Sequence, residues 1–513
     1  MSFGTASDRD GHADRPSVWR RAHLVILAGY LVACGGLVGK SVEAPGPPQA
    51  FWVAENGRAD NDGSRDNPLD LATALSGEGP MGPGDTVWLR GGTYRGAFSS
   101  MLMGRPDAPI VVRQVPGELA TLDSAGSAKD ALSIGGSYTW FWGFEITSSD
   151  LKRQSAEPGP WPGDLLRGYG AVTRAPGIRF INLVVHDNAN GLGLWSESVD
   201  SDAHGNIIYN NGWQAPDRAH GHGIYTQNEV GTRRLTDNII FNQFSHGIHA
   251  YGSARAHLDN ITLEGNIVFN NGALAAGPEY VRNLLLGGGR PALNPRLQDN
   301  VTYFGSMKTS GENSVGYSAG CVNLWAHGNY LIGGRPLILR SCTTQSFANN
   351  TLYGPVREDP PNEYPGNEYR TVPPTGTRVF VRPNRCEAGR AHVAIYNWDS
   401  QAQVRVDLSG ASLVKGERFL IQDAQNFFGK PVVEGIYEAR PVNVPMTGLH
   451  VKPPVGNVPH SGHTAPQFGA FVVIQPAVIA RAGALVPAGC SAANVAAAAS
   501  NSPLTNLLNS WGF

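Results

Sequence analysis

The chain has 513 residues, a formal net charge of −2, and only 16% charged residues. This balance excludes a general basic field for nucleic acid, so any polyanionic partner must be held by a local patch. Glycine and proline are abundant, with 64 and 36 residues, which is typical of a turn-rich all-β protein.

Residues 1–34 have the pattern of an export signal. An arginine pair precedes the apolar run Leu24–Val32, which is too short to span a bilayer. The run leads into Leu-Val-Ala-Cys34-Gly, which resembles the lipobox of bacterial lipoproteins, whose cysteine is lipidated. An ordinary signal without a lipid is the alternative. We expect an exported protein at the outer surface or in the periplasm of a bacterium, anchored through Cys34 and a tether over 35–50.

Two motifs after the tether carry a family resemblance. They are Phe51-Trp-Val-Ala-Glu-Asn-Gly and Gly84-Asp-Thr-Val-Trp-Leu-Arg-Gly-Gly-Thr-Tyr94. Together they resemble the N-terminal module of extracellular parallel β-helix proteins in the pectate-lyase-like superfamily. The resemblance implies the fold but not the activity, because this architecture hosts lyases, hydrolases, epimerases and proteins without activity.

A repeat follows, in which an Asn precedes alternating apolar residues. Such a motif at intervals of about 20–35 residues is typical of a solenoid of short strands. In stacked coils the same residue recurs about every 4.8 Å, so each amide can hydrogen-bond the next. The repeat predicts a right-handed parallel β-helix over 51–355 with these Asn residues stacked at one turn, whereas unrelated Asn-capped turns are the alternative. Its members are Asn182, Asn206, Asn238, Asn266, Asn300, Asn329 and Asn350.

The repeat ends at Gly354, and the rest of the chain has a different composition and pattern. Residues 356–376 are rich in Pro, Glu and Asn and predict a linker. Short alternating segments over 377–475 predict a small β-sandwich-like domain. The Ala- and Ser-rich residues 476–513 predict a low-complexity tail.

Cysteine spacing indicates a disulfide. Cys321 and Cys342 lie at the same distance before Asn329 and Asn350, so they share a register on adjacent coils within bonding reach. A reduced pair is the alternative. No compact metal-ligand motif is present, so we expect no cofactor, although scattered Asp and Asn residues leave calcium open.

Two neighbouring coils concentrate groups able to trade protons. Aligning His222-Gly with His246-Gly places Tyr225 beside His249, about 5 Å apart. Alternation predicts that His222 and His246 point inward near a turn, as structural histidines. Alternation also predicts that one outward surface contains Trp195, Tyr225, Gln227, His249 and Tyr251. The alternative is that these residues form an ordinary exposed aromatic ladder.

These residues and nearby inserted loops supply the candidate site. The candidates for catalysis are Tyr225, His249, His222, His246 and Arg218. The candidates for substrate binding are Trp195, Gln227, Tyr251, Asp217, Arg282 and Lys308.

This set of groups favours cleavage of a uronate glycan by β-elimination. That reaction needs a cation for the carboxylate, a base for the C5 proton and an acid for the leaving oxygen. Glycoside hydrolysis would need two facing carboxylates about 5–9.5 Å apart, and the outward strand positions contain none. We therefore expect a monomeric polysaccharide lyase, with a hydrolase or a non-catalytic glycan-binding protein as alternatives.

Overall fold

The structure, a computed structural model, describes residues 47–277, 281–304, 311–354, 364–456, 458–482 and Cys490. The predicted signal segment with Cys34, most of the tether, Lys308 and the end of the tail lie outside the described residues. Within the described residues, no helix is long and apolar enough to cross a membrane.

The predicted parallel β-helix is confirmed: successive coils stack their strands into three parallel sheets. Sheet A contains Ala50–Val53, Thr86–Leu89, Ile110–Gln114, Thr139–Trp142, Arg179–Ile181, Asp202–His204, Arg233–Thr236, Ile261–Glu264, Ala292–Leu293, Arg296–Gln298, Cys321–His327 and Cys342–Ala348. Sheet B contains Gly92–Arg95, Ala120–Asp123, Glu145–Thr147, Val184–His186, Ile207–Tyr209, Ile239–Phe241, Ile267–Phe269, Val301–Tyr303, Tyr330–Ile332, Thr351–Tyr353 and Glu368–Arg370. Sheet C contains Phe98–Ser100, Leu132–Ile134, Tyr169–Thr173, Asn190–Leu194, Ile224–Thr226, Ile248–Ala250, Val281–Leu286, Gly311–Val315 and Arg335–Leu339.

Apolar ladders fill the interior of the coil. On sheet C, Leu192, Ile224 and Ile248 are in register and fully buried. The short helix Leu71–Leu75 packs its buried leucines into the same core, and its first turn is capped by the side chain of Asp70. Burial of β-branched and leucine side chains in continuous columns is the main stabilising term of such a solenoid.

Six of the seven predicted Asn residues form one continuous amide ladder. Each side-chain amide donates to the Asn of the following coil at 2.8–3.0 Å, and Asn367 extends the ladder by one coil. Each amide also hydrogen-bonds main chain that would otherwise be unsatisfied in the core. The members are Asn206, Asn238, Asn266, Asn300, Asn329 and Asn350.

The prediction for Asn182 was wrong by one residue. The backbone of Leu183, not of Asn182, donates to the Asn206 amide. Asn182 occupies the preceding turn position, where φ is positive, as it is at Asp237 and Asn349. Asn and Asp are the non-glycine residues that best tolerate this conformation, so the same residue type serves two adjacent positions of the turn.

The C-terminal region forms antiparallel sheets that pack on the β-helix. One sheet contains Thr377–Pro383, Arg390–Asn397, Phe468–Ile474, Arg418–Asp423 and Val433–Ile436, and a second contains Gln403–Val406 and Val442–Pro445. Short 3₁₀ turns lie at Ser409–Ala411 and Ala424–Asn426, and a helix spans Pro476–Ala482. An aromatic column on the outside of sheet B, from Tyr209 through Phe241 and Phe269, ends against Phe468. The C-terminal region therefore covers sheet B.

Two disulfides join distant parts of the described chain. Cys321 and Cys342 face each other in register on sheet A and are bonded, as their shared spacing indicates. Cys386 is bonded to Cys490, 104 residues further along the chain.

Candidate active site on sheet C

The outer face of sheet C brings the predicted pair together. Tyr225 and His249 are in-register partners on adjacent strands, and their rings meet edge to face with centroids 5.0 Å apart. Trp195 lies 5.3 Å from Tyr225 on one side. Tyr251 lies parallel to His249 at 4.8 Å on the other side. We call these four residues, together with His222 and His246, the ring platform.

His222 and His246 do not point inward, which corrects the prediction from alternation. The His222 ring lies 4.1 Å from His249 and 5.1 Å from His246, measured between centroids. Both histidines therefore belong to the outer face of sheet C.

The reason is a break in alternation at a glycine. Gly223 and Ile224 both face the interior, so the residue before them and the residue after them both face outward. A Cβ on Gly223 would lie 2.5 Å from the buried Ile240, and one on Gly247 would lie 2.7 Å from Val268. Only glycine fits between the strand and the core at these positions.

A backbone-to-ring ladder fixes the protonation of these two histidines. The backbone of His222 donates to the Asn190 side chain at 2.9 Å, and the backbone of His246 donates to Nδ1 of His222 at 3.3 Å. The backbone of Arg282 donates in turn to Nδ1 of His246 at 3.1 Å. A ring nitrogen that accepts a hydrogen bond carries no proton, so both imidazoles are neutral with the proton on Nε2.

Electrostatics act in the same direction on all three histidines of the platform. Burial first, and then the neighbouring histidines and arginines, hold the pKa values of His222, His246 and His249 well below the usual range. Nδ1 of His249 is buried and accepts no hydrogen bond within the described structure. His249 thus differs from the other two, because no backbone donor holds its Nδ1, which can carry the ring proton and leave Nε2 as the proton acceptor.

A cationic group adjoins the platform. Arg282 is paired with Glu312, which is 1% exposed and also lies 3.7 Å from Arg335. The Arg282 guanidinium lies over Tyr317, 5.6 Å from its ring centroid. Arg282 and Arg335 therefore both lie against this buried carboxylate.

The predicted loop residues lie at one edge of the platform. A hairpin of Trp213–Gln214 and Ala219–His220 carries Asp217 and Arg218 at its tip. His220 Nε2 lies 3.2 Å from the Asp217 carboxylate, and Arg218 Nε lies 3.8 Å from it. Hydrogen bonds from the Gly159 backbone and His220 outweigh burial and lower the pKa of Asp217. Arg218 is therefore held by a carboxylate at the rim of the platform.

The structure places each predicted residue that it describes. It unites Trp195, Tyr225, His249 and Tyr251, adds His222 and His246 to their face, and joins Arg282 through the His246 ladder. Gln227 adjoins them through its amide, which donates to the Tyr251 carbonyl at 3.2 Å. Sequence reasoning missed Asn190, Glu312, Tyr317 and Arg335. Asn190 occupies the strand position of His222, and a strict coil alignment would have found it.

No set of three or more His, Cys, Asp and Glu side chains in the described part of the chain is arranged to hold a metal ion.

Several solved structures are similar to part of the chain. No protein-family model matches the chain, and no curated protein sequence matches it. The chain is similar in structure to pectate lyase Pel9A, with TM-score 0.42 and 18% identity over 63% of this chain and 74% of that one. It is similar to an alginate lyase from Paenibacillus sp. str. FPU-7, with TM-score 0.37 and 16% identity over 63% and 98%. A GH136 lacto-N-biosidase from Eubacterium ramulus gives TM-score 0.39 and 12% identity over 63% and 68%.

These similarities concern the fold, the parallel β-helix. The structural neighbours include polysaccharide lyases and glycoside hydrolases.

Proposed function

We propose that this protein is an exported polysaccharide lyase that cleaves a uronate-containing glycan by β-elimination on the ring platform. The observation that carries the proposal is the contact of His249, whose pKa is lowered, with the Tyr225 ring at 5.0 Å. A neutral imidazole and a phenol on the same face provide one group able to accept a proton and one able to donate it.

Each chemical step has a residue on the platform. His249 takes the proton from C5 of the uronate, the C4–O bond breaks, and a double bond forms between C4 and C5. The Tyr225 hydroxyl gives a proton to the leaving oxygen. The positive charge at Arg282 faces the substrate carboxylate and stabilises the negative charge that develops on it. Trp195 and Tyr251 flank the pair and contact the sugars on either side.

Hydrolysis is the less favoured alternative because the nearby carboxylates are occupied. Glu312 lies buried between Arg282 and Arg335, and Asp217 is paired with His220. A glycosidase needs one carboxyl group as an acid and a second facing it as a base or nucleophile. Neither of these carboxylates is free to act in that way.

Export is supported by the leader-like sequence at 1–34 and by the two disulfides, which are typical of proteins folded outside the cytosol. We expect Cys34 to be the lipidated N-terminus of the mature chain. Mass spectrometry of the N-terminal peptide tests this, and a mature chain that starts at an unmodified residue other than Cys34 would remove the anchor.

The test of function is a screen on uronate polysaccharides. The parent protein is expected to produce the ultraviolet absorbance of an unsaturated uronate. His249→Ala and Tyr225→Phe should lose that activity, whereas His327→Ala, a half-buried histidine on sheet A, should keep it. New reducing ends without the absorbance would favour a hydrolase, and glycan binding without cleavage would favour a binding protein.

A further inference from the structure

Inserted segments leave the β-helix repeatedly at the same turn. The segments 148–168, 210–223 and 270–280 all connect a strand of sheet B to the next strand of sheet C. Because coils stack about 4.8 Å apart, insertions at one turn lie beside each other along one edge of sheet C. We call the described parts of these segments the loop wall.

Gln214 joins the members of the loop wall. Its backbone carbonyl accepts from the Ser155 backbone, and its backbone N–H donates to the Arg153 carbonyl, both at 2.9 Å. Its side-chain oxygen accepts from the backbone of Ala276, also at 2.9 Å. One residue of the hairpin thus holds a segment on each side, and the wall is continuous.

The tip of the first segment is held in place. Asp164 accepts from the Ser155 hydroxyl at 2.6 Å and from Lys152 Nζ at 2.9 Å. The Glu157 carboxylate accepts from the Gly163 backbone at 2.6 Å. Pro158, Pro160 and Pro162 further restrict the backbone of this tip.

Trp161 lies on this tip and is 62% exposed. The tip is tied to the platform edge, because the Gly159 backbone donates to Asp217 at 2.9 Å and Asp217 bonds His220. His220 leads through Gly221 into His222 of the ring platform. A large aromatic ring is thus presented to solvent on a braced loop at the edge of the candidate site, where an apolar side chain gains nothing by exposure.

We propose that Trp161 forms a further glycan-binding subsite, stacking on a pyranose ring of the same polysaccharide beyond the sugars that occupy the ring platform. The inference rests on the proposed function. The ligand of the loop wall is a carbohydrate chain, because the wall continues into the ring platform and one chain can extend along both. A substrate long enough to span the platform and the wall gains this contact, and a short oligosaccharide does not.

The test compares Trp161→Ala with Val414→Ala, an exposed apolar residue of the C-terminal region, away from the loop wall. Trp161→Ala should raise KM for the long polysaccharide about 3–10-fold, with kcat and the KM for a short oligosaccharide unchanged. Trp161→Phe should keep most of the parent KM, and Val414→Ala should match the parent. Equal KM values for parent and Trp161→Ala on the long substrate, or equal effects on long and short substrates, would overturn the subsite.

Affinity electrophoresis in gels containing the polysaccharide, with each change made in the His249→Ala background, separates this inference from the function. Retardation of His249→Ala that is lost with Trp161→Ala supports the subsite whether or not the protein is a lyase. Equal retardation of the two overturns the subsite alone. A parent that binds none of the uronate glycans overturns both proposals.

Discussion

Histidines on two sheets of the same solenoid have opposite electrostatic surroundings. On sheet B, His186 Nε2 lies 2.8 Å from Glu145 and its Nδ1 lies 2.8 Å from Asp187. On sheet C, His222 and His246 instead accept backbone hydrogen bonds. Burial is comparable in the two places, at 7–9% exposure, so the partners decide the protonation state.

The two places therefore serve different purposes. Hydrogen bonds with Asp187 and Glu145 outweigh burial and raise the pKa of His186 to about 9. This charged imidazole joins a buried network in which Asp187 also binds Arg153 and the Val455 backbone, which attaches the C-terminal region. A group with both nitrogens committed is a structural cation, whereas a neutral ring such as His249 is free to accept a proton.

The largest expected effect is a difference in catalytic rate between variants of His249 and His186. His249→Ala should lower the rate of glycan cleavage about 10²–10⁴-fold, because loss of a general base costs that much, while the melting temperature stays near that of the parent. His186→Ala should keep the parent rate per folded molecule. Steady-state rates at temperatures well below unfolding test both variants, and a His249→Ala protein with the full parent rate would place the base elsewhere.

Substitution of His186, which should leave the catalytic rate unchanged, should lower the stability of the fold. His186→Ala should lower the free energy of unfolding by about 3–5 kcal/mol, because it leaves Glu145 buried without its cation. His327→Ala is a matched control, since its ring is less buried and bonds only one hydroxyl among the contacts described here. Urea denaturation curves measure the difference, and equal midpoints for both variants would contradict the assignment of His186 as a structural cation.

The amide ladder runs along the turn that connects sheet A to sheet B. Asn238→Ala should lower the free energy of unfolding by about 1–3 kcal/mol, because buried main-chain groups lose their partners. Asn182→Ala should cost less, since its side chain bonds Asn384 and Glu387 instead of the ladder. If the two substitutions lowered stability equally in the same denaturation assay, the ladder would not be the stabilising feature.

The pH dependence of stability gives the smallest effect, with opposite signs for the two clusters. The folded pKa of His186 is raised, so its stabilisation is complete below about 6.5 and is lost as pH rises from there through about 9. The folded pKa of His249 is lowered, so protonation favours the unfolded chain and stability falls as pH drops below about 6.5.

Melting temperatures measured across pH for the parent and single variants test this prediction. His186→Ala should flatten the alkaline side of the curve, and His249→Ala should flatten the acidic side. The prediction fails if each variant shifts the whole curve by a constant amount.

Local motifs allowed much of the fold to be predicted. Asn206 and its five partners were found because each one is followed by apolar residues with fixed alternation. Asn182 was misplaced because the adjacent turn position also favours Asn and Asp. The inward direction predicted for His222 and His246 was wrong because alternation assumes a regular strand. Gly223 and Gly247 interrupt that strand.

Other features depend on contacts that spacing does not reveal. Glu312 and Arg335 lie on later coils, separated from His246 in sequence by insertions of irregular length. The Cys386–Cys490 bond spans 104 residues and carries no repeat that would set its register. These contacts are set by the packing of whole segments, so only the structure shows them.

The central claim is that the ring platform cleaves its glycan by elimination. The most direct measurement is digestion of a uronate polysaccharide in water enriched in heavy oxygen, followed by mass spectrometry of the products. Elimination breaks the C4–O bond without adding water, so the account predicts an unsaturated non-reducing end and no solvent oxygen beyond the slow exchange at the reducing hemiacetal. A saturated non-reducing end, with heavy oxygen taken up at the rate of cleavage, would show hydrolysis and would contradict the roles given to His249 and Tyr225.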